Sequence, residues 1–215
     1  MNQKLFIFDL DGTLVDTAID VIYVLNNMRK NLGKKELPSK FFLPWLSLGG
    51  EDLIINSLEI KIDVQGQLSK FRDLLFLKKT SEARVYSGVK PFLKNLKKSN
   101  CNLSICTNKP RFLAEKVLRD TNLIDYFSFM SAGGDIETKK PSPENLQLIL
   151  DNYSYDKNEV IYVGDSIVDQ TICKSLDIPF YFFSKGYNDG VLESRSDFNF
   201  EKYEDLLSYL RGKVE

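Results

Sequence analysis

A chain of 215 residues, 43% hydrophobic and 27% charged, is long enough to bury a sizeable core and shows neither the low apolar content of disorder nor a repeat bias. Its 29 Lys and Arg nearly balance 30 Asp and Glu, so no global field favours nucleic acid or an anionic membrane surface. Histidine is absent, which excludes histidine nucleophiles, general bases and metal ligands together and leaves catalysis to carboxylates, Lys, Ser, Thr, Tyr or Cys.

Residues 4–8 are an apolar run suited to a strand buried on both faces. Asp9 cuts the run before it reaches the length of a signal-peptide core, and Asp-Leu-Asp-Gly gives a turn signal. Residues 17–83 then read as helices with no convincing strand. Ile19, Ile22, Val24, Leu25, Met28 and Leu32 give one amphipathic helix, and Leu68, Phe71, Leu74, Leu75 and Leu77 another. Residues 41–48 and 52–58 supply two shorter helices separated by Gly49-Gly50. Beyond them, short apolar runs at 102–106, 127–131, 160–164 and 179–183 alternate with helical periodicity at 92–99, 112–120, 143–152 and 167–176. This alternation predicts an α/β fold, a Rossmann-like parallel sheet covered on both faces, with a helical domain inserted after the first strand. The expected division is a core of residues 1–16 and 84–215 and an insert of residues 17–83. The apolar stretches fall short of a membrane span, and Cys101, Cys106 and Cys173 show neither pairing nor CxxC spacing, so a cytoplasmic chain is expected.

Ligands of open parallel sheets bind at the carboxyl ends of the strands, and four of these ends carry polar groups. They are Asp9 and Asp11, then Thr107-Asn108-Lys109, then Lys139-Lys140, then Asp165 and Asp169. Asp9 and Asp11, two apart where a strand runs out, can face the same site, and two carboxylates that close call for a cation between them. Asp165 would complete an oxygen-rich site suited to Mg2+. Gly12 permits a tight turn whose N–H groups point at a phosphoryl oxygen, while the Thr107 hydroxyl and Lys140 ammonium add a donor and a positive charge. Phosphoryl transfer needs that combination, because its catalysis is mostly positioning and charge stabilisation.

Asp9-Leu-Asp-Gly-Thr-Leu-Val-Asp16, Cys106-Thr-Asn-Lys109, Lys140-Pro-Ser-Pro143 and Gly164-Asp-Ser-Ile-Val-Asp169 resemble, in order and across nearly the whole chain, the four motifs of the haloacid dehalogenase superfamily. The resemblance implies that Asp9 is a nucleophile forming an aspartyl-phosphate and Asp11 the acid that protonates the leaving alkoxide and then deprotonates water. It implies Mg2+ on the Asp9 carboxylate, the Asp11 backbone carbonyl and Asp165. Thr107 would bond the phosphoryl group, Lys140 would neutralise nucleophile and phosphate, and Asp169 would orient metal-bound water or Lys140. The insert resembles a cap that closes over the site, which places substrate selection around residues 47–52 and Gly49 and Gly50 at the entrance.

Asp11 favours phosphate over halide chemistry, since halide leaves without a proton. Val85-Tyr-Ser-Gly-Val-Lys-Pro-Phe-Leu93 and Lys185-Gly-Tyr-Asn-Asp-Gly190 resemble the phosphoglycolate phosphatase branch. The implied partner is a small phosphate ester, with 2-phosphoglycolate first, and neither nucleic acid nor membrane. Mutases of the β-phosphoglucomutase type share all four motifs, and phosphonatases use a cap lysine, for which Lys30, Lys34, Lys35 and Lys40 qualify by location. An idle phosphate-binding regulatory protein would need no nucleophile beside a proton donor. Monomer and homodimer both stay open.

Plainer readings stand beside these. Asp16 before Thr17 is a helix cap, and Lys109 and Lys139 default to solvated surface. Asn108 either contacts substrate or ties down its loop, and Ser166 reads as turn chemistry or as a neighbour of the metal. Only four residues separate Cys106 from Arg111 and none is glycine, so Cys106 is core rather than a cysteine-phosphatase nucleophile. Phe41 to Trp45 is helix packing.

Overall fold

The N-terminal apolar run forms β1 (Leu5–Phe8), whose four side chains are all fully buried, as a strand covered on both faces requires. The structure, a computed structural model, describes residues 4–46 and 50–212. Four helices follow β1: α1 (Ala18–Asn31), α2 (Ser39–Leu46), α3 (Gly50–Leu58) and α4 (Val64–Leu77). The chain then runs through α5 (Val89–Lys98), β2 (Asn102–Pro110), α6 (Arg111–Asp120), β3 (Phe129–Gly133), α7 (Glu144–Asp151) and β4 (Val160–Gly164). It ends with α8 (Ile167–Leu176), β5 (Phe180–Phe183), β6 (Phe198–Phe200) and α9 (Tyr203–Gly212).

The strands form one parallel sheet in the order β3-β2-β1-β4-β5-β6. β1 lies between β2, with Leu5 opposite Asn102, and β4, with Leu5 opposite Val160. The chain moves outward from β1 to β2 and β3 and then crosses to β4 on the other side. The strand order therefore reverses at β1, and the residues just past Phe8 sit at the crevice where such sheets bind ligands. Period-two alternation splits β1 between two cores. Phe6 and Phe8 pack with α5, α6 and α9 on one face, and Leu5 and Ile7 with α7 and α8 on the other.

A third apolar cluster, around Leu25, Phe42, Ile54, Leu58 and Phe71, lies within α1 to α4. The two connections that tie these helices to the sheet run side by side. Asp16 N donates to Arg84 O (2.8 Å), Tyr86 N donates to Leu14 O (3.1 Å), and Val15 bridges Val85 in antiparallel sense. Phe42 is buried in this cluster with Phe41 and Trp45 packed against it, so these aromatics are helix packing.

The sheet departs from the sequence pattern in three places. β2 continues to Pro110 with a shift in register after Cys106, so Thr107, Asn108 and Lys109 lie in an irregular strand end rather than a loop. β3 begins at Phe129, two residues later than the apolar run, because its register with β2 pairs Phe129 with Ser104. β6 and α9 have no counterpart in the expected elements. β6 is a three-residue edge strand in which only Phe200 is buried, and α9 turns Tyr203, Leu206 and Leu210 onto the sheet. Among the described residues no helix is long and apolar enough to cross a membrane.

Candidate active site

The end of β1 delivers Asp9 into a buried charge cluster. Lys140 Nζ donates to Asp9 Oδ1 (2.6 Å), Asp169 Oδ1 (2.7 Å), the Cys106 carbonyl (2.8 Å) and the Tyr162 hydroxyl (3.1 Å). Both carboxylates and the lysine are almost completely buried. Burial works against the Lys140 ammonium, but the negative charges of Asp169 and Asp9 outweigh it and hold the lysine above its ordinary value. At Asp9, by contrast, burial is the larger effect. Burial, opposed by Lys140 and reinforced by Asp169 and Asp11, raises its carboxyl to about 7.

Asp169 is fully used. Besides Lys140, its Oδ1 accepts the Tyr162 hydroxyl (2.8 Å), and Oδ2 accepts the backbone N–H of Ser166 (3.2 Å) and its hydroxyl (2.5 Å). The Ser166 N–H bond and the reciprocal one, from the Asp169 N–H to Ser166 Oγ (3.3 Å), form a capping box at the start of α8, which is the turn chemistry expected of Ser166. Asp165 follows β4 and is held by the Thr13 hydroxyl at Oδ1 (2.7 Å) and the Tyr187 N–H at Oδ2 (2.6 Å). Burial, then the charges of Asp9 and Asp169, push its carboxyl well above the ordinary range despite those bonds.

Among the described residues, Asp9, Asp165 and Asp169 bring carboxylate oxygens within 4.8 Å of one another. One ammonium serves this trio, so two negative charges are left without a counter-charge in a buried site. A divalent cation that favours hard oxygen donors fits both the deficit and the ligand chemistry. Each oxygen of Asp169 accepts two hydrogen bonds, whereas each of Asp165 accepts one and Asp9 is held at Oδ1, so Asp9 and Asp165 are the carboxylates with lone pairs left to ligate. Gly12 adjoins them at φ +84°, and a Cβ there would come within 2.3 Å of Asp165 Oδ2. Glycine is required at that position on both counts.

Asp11 is partly exposed and held from two sides: Lys109 Nζ donates to its Oδ1 (2.8 Å), as does the Thr17 hydroxyl. The expectation that Lys109 is solvated surface is thereby corrected, since its side chain is only 9% exposed and pairs with Asp11. Thr107 is buried, and its hydroxyl oxygen accepts the Lys109 N–H (3.1 Å), which leaves the hydroxyl proton to donate elsewhere. The Asn108 amide is spent on the Lys140 backbone, donating to its carbonyl (3.0 Å) and accepting from its N–H (2.7 Å). Tying down the loop is what this geometry does.

These side chains open on a cavity of about 920 Å3 between sheet and helices, lined by Asp9, Asp11, Thr107, Asn108, Lys140 and Ser166 from the sheet side. Gly50 lines it from the helical side; Gly49 lies outside the described residues. Lys139 is half-exposed, 3.8 Å from Asp52 across the mouth. Asp16 accepts the Ala18 N–H (3.2 Å) from one residue before the cap position of α1, which Thr17 occupies without a side-chain cap bond. Cys106 is buried with its thiol pushed up to about 12 by burial, a core residue. None of Lys30, Lys34, Lys35 and Lys40 lines the cavity.

Sequence reasoning missed Tyr162, Thr13, Thr17 and Tyr187. Tyr162 reads as one more core aromatic in an apolar strand. Thr13 and Thr17 lie inside or beside the first motif but carry no signal of their partners. Tyr187 falls within the Lys185 to Gly190 segment, the only hint that the loop after β5 reaches the site.

The haloacid dehalogenase-like hydrolase family matches residues 6–183 of the chain. The phosphoglycolate phosphatase of Nitrosospira multiformis is 31% identical over 194 residues, covering 87% of this chain and 86% of that protein. That of Psychrobacter arcticus is 30% identical over 222 residues, covering 98% and 96%. Among solved structures, a predicted phosphoglycolate phosphatase from Haemophilus somnus superposes with a TM-score of 0.87 at 23% identity, covering 98% of this chain and 99% of that one. CbbY from Rhodobacter sphaeroides, in complex with phosphate, gives 0.77 at 18% identity, covering 95% and 96%. At these identities the structural likenesses speak to the fold alone.

Proposed function

The chain belongs to the haloacid dehalogenase-like hydrolases and is a phosphoric monoester hydrolase, and from that premise we propose that it is magnesium-dependent, works through an aspartyl-phosphate on Asp9 and acts on a small phosphorylated metabolite, 2-phosphoglycolate first. The observation that carries this reading is the asymmetry of Asp9. Its Oδ1 is fixed by Lys140 at 2.6 Å, while Oδ2 takes no hydrogen bond from the described residues and the residue lines the cavity. A carboxylate pinned at one oxygen and unencumbered at the other is oriented for nucleophilic attack.

Asp9 Oδ2 attacks phosphorus as the bond to the leaving alkoxide breaks, and Asp11 gives that oxygen its proton. Water then attacks the aspartyl-phosphate, Asp11 takes the proton, and inorganic phosphate leaves with Asp9 restored. Lys109 and Thr17 hold the Asp11 carboxylate for both transfers. Thr107 donates its hydroxyl proton to a phosphoryl oxygen, and Lys140 keeps Asp9 in place while offsetting charge. Magnesium, on the Asp9 and Asp165 carboxylates and the Asp11 backbone carbonyl, would neutralise the phosphoryl oxygens. Residues 17–83 act as a cap over the cavity, and Gly50 belongs to the substrate-facing wall.

The test is hydrolysis of a panel of phosphorylated metabolites, 2-phosphoglycolate included, with Mg2+ and with chelator, by wild type and Asp9→Asn. Turnover that survives in the variant, or that ignores chelation, would refute the mechanism. A preference for another ester would refute only the first choice of substrate.

A further inference from the structure

Among the described residues, the cations around the cavity are, with one exception, already paired. Lys140 serves Asp9 and Asp169, Lys109 serves Asp11, Arg111 pairs with Asp135 (2.5 Å) and Glu115, and Lys139 lies near Asp52. Arg72 lines the same cavity, is half-buried, and its guanidinium makes no ion pair or hydrogen bond with any described residue. It stands on α4 with Leu68, Phe71 and Leu75, which also line the cavity and share one helix face at spacings of three, four and seven. The facing α1 and α3 contribute Val21 and Leu53, both apolar. Among the described residues Arg72 is thus the charged group on an otherwise apolar and uncharged cap wall, opposite a sheet side built to take a phosphoryl group.

A guanidinium held against apolar side chains loses part of its hydration and regains it from an anion, which a carboxylate supplies with two parallel hydrogen bonds. We infer that Arg72 is a specificity-determining residue that receives a second anionic group of the substrate, the group at the end away from the scissile phosphate. For 2-phosphoglycolate, the first choice above, that group is the carboxylate. The inference rests on the phosphatase reading and adds to it a residue that separates anionic esters from neutral ones. A merely solvated arginine at a pocket rim is the alternative, and it predicts no such selectivity.

The experiment compares wild type, Arg72→Gln and Arg72→Lys on two esters with Mg2+ present: 2-phosphoglycolate, and p-nitrophenyl phosphate, whose aryl end carries no second anion. Arg72→Gln is expected to lower kcat/KM for 2-phosphoglycolate by roughly 10- to 100-fold, mainly through KM. It should leave p-nitrophenyl phosphate within about twofold, a change too small to signal a lost contact. Arg72→Lys should recover part of the loss, because it restores charge without the fork. Equal losses on both esters, or no loss on either, overturn the inference while the phosphatase reading stands. Wild type that hydrolyses p-nitrophenyl phosphate but not 2-phosphoglycolate is carried to 3-phosphoglycerate, and failure there too overturns it. Wild type inert on every ester removes the phosphatase reading and the inference with it.

Discussion

Replacing Lys140 with methionine isolates the energetics of the buried cluster. The substitution keeps an unbranched chain of similar length but removes hydrogen bonds of 2.6, 2.7, 2.8 and 3.1 Å and leaves Asp9 and Asp169 facing each other without their cation. Breaking one side of a buried pair costs about 3–5 kcal/mol. For a chain of this size that lowers Tm by roughly 6–20 °C. The cost depends on pH in a definite sense. In the wild type burial raises Asp9 from 3.8 to about 7, so the native state keeps a proton that the unfolded chain has lost. A carboxyl raised on folding costs nothing below its unfolded value, and stability falls as pH climbs from about 4 towards the folded value. Without Lys140, whose charge lowers Asp9, the folded value rises further, and the deficit should be smallest near pH 5 and largest above pH 7. Urea unfolding without metal at pH 5, 6, 7 and 8 measures this. Lys140→Met/Asp169→Asn should recover much of the loss, because one of the stranded charges is gone. A deficit below about 1 kcal/mol, within the range of an ordinary surface pair, or one flat across pH, would refute the account of Lys140 as the counter-ion of this site.

Asp11→Asn should slow an alkyl phosphate by about 10²- to 10⁴-fold, the usual worth of general acid–base catalysis. In a single turnover, before the water step that also uses Asp11, release of nitrophenolate, which needs no proton, should suffer far less; equal losses in the first turnover on both esters would count against Asp11 as the acid. Gly12→Ala forces a side chain to φ +84° and to within 2.3 Å of Asp165 Oδ2, so it should cost at least about 2 kcal/mol by chemical denaturation and weaken Mg2+ binding by calorimetry. Unchanged Mg2+ affinity would contradict the assignment of Asp165 as a ligand. Mg2+ at about 100 times its Kd should stabilise the protein by roughly 2.7 kcal/mol. Ligation requires deprotonated Asp9, raised to about 7, so affinity measured by titration should be tighter at pH 8 than at pH 6. The reverse order would exclude Asp9 from the metal site.

The division between what local sequence encodes and what it leaves open runs through single residues. β1 was legible because four consecutive apolar residues ending in Asp-Leu-Asp-Gly have one comfortable use, a strand buried on both faces that stops in a turn. α1 and α4 were legible from their apolar spacing, which a helix needs in order to have one face to bury, but Ile19, Leu32 and Leu77 of the expected faces are exposed. β6 was not, because a three-residue edge strand exists only by pairing with β5. α9 carried a readable signal, Tyr203, Leu206 and Leu210 on one face, that the strand-by-strand pattern overlooked.

The candidate site divides the same way. The sequence pointed to Asp9, Asp11, Thr107 and Asp165 just past strand ends and, through the family resemblance, to Lys140 and Asp169, which the fold supplies from the loop before α7 and the first turn of α8. It could not decide how they share charge. That Lys140 joins Asp9 to Asp169, that Asp169 is saturated while Asp165 is not, and that Lys109 serves Asp11 instead of solvent are tertiary facts. Lys140 and Asp9 are 131 residues apart, and Lys109 and Asp11 are 98 apart. The Lys109–Asp11 pair follows from β2 lying beside β1, whereas Lys140 reaches Asp9 and Asp169 from the segment between β3 and α7, which Asn108 of β2 ties down. Local spacing fixes where a side chain leaves its own strand; only the packed sheet fixes what it meets.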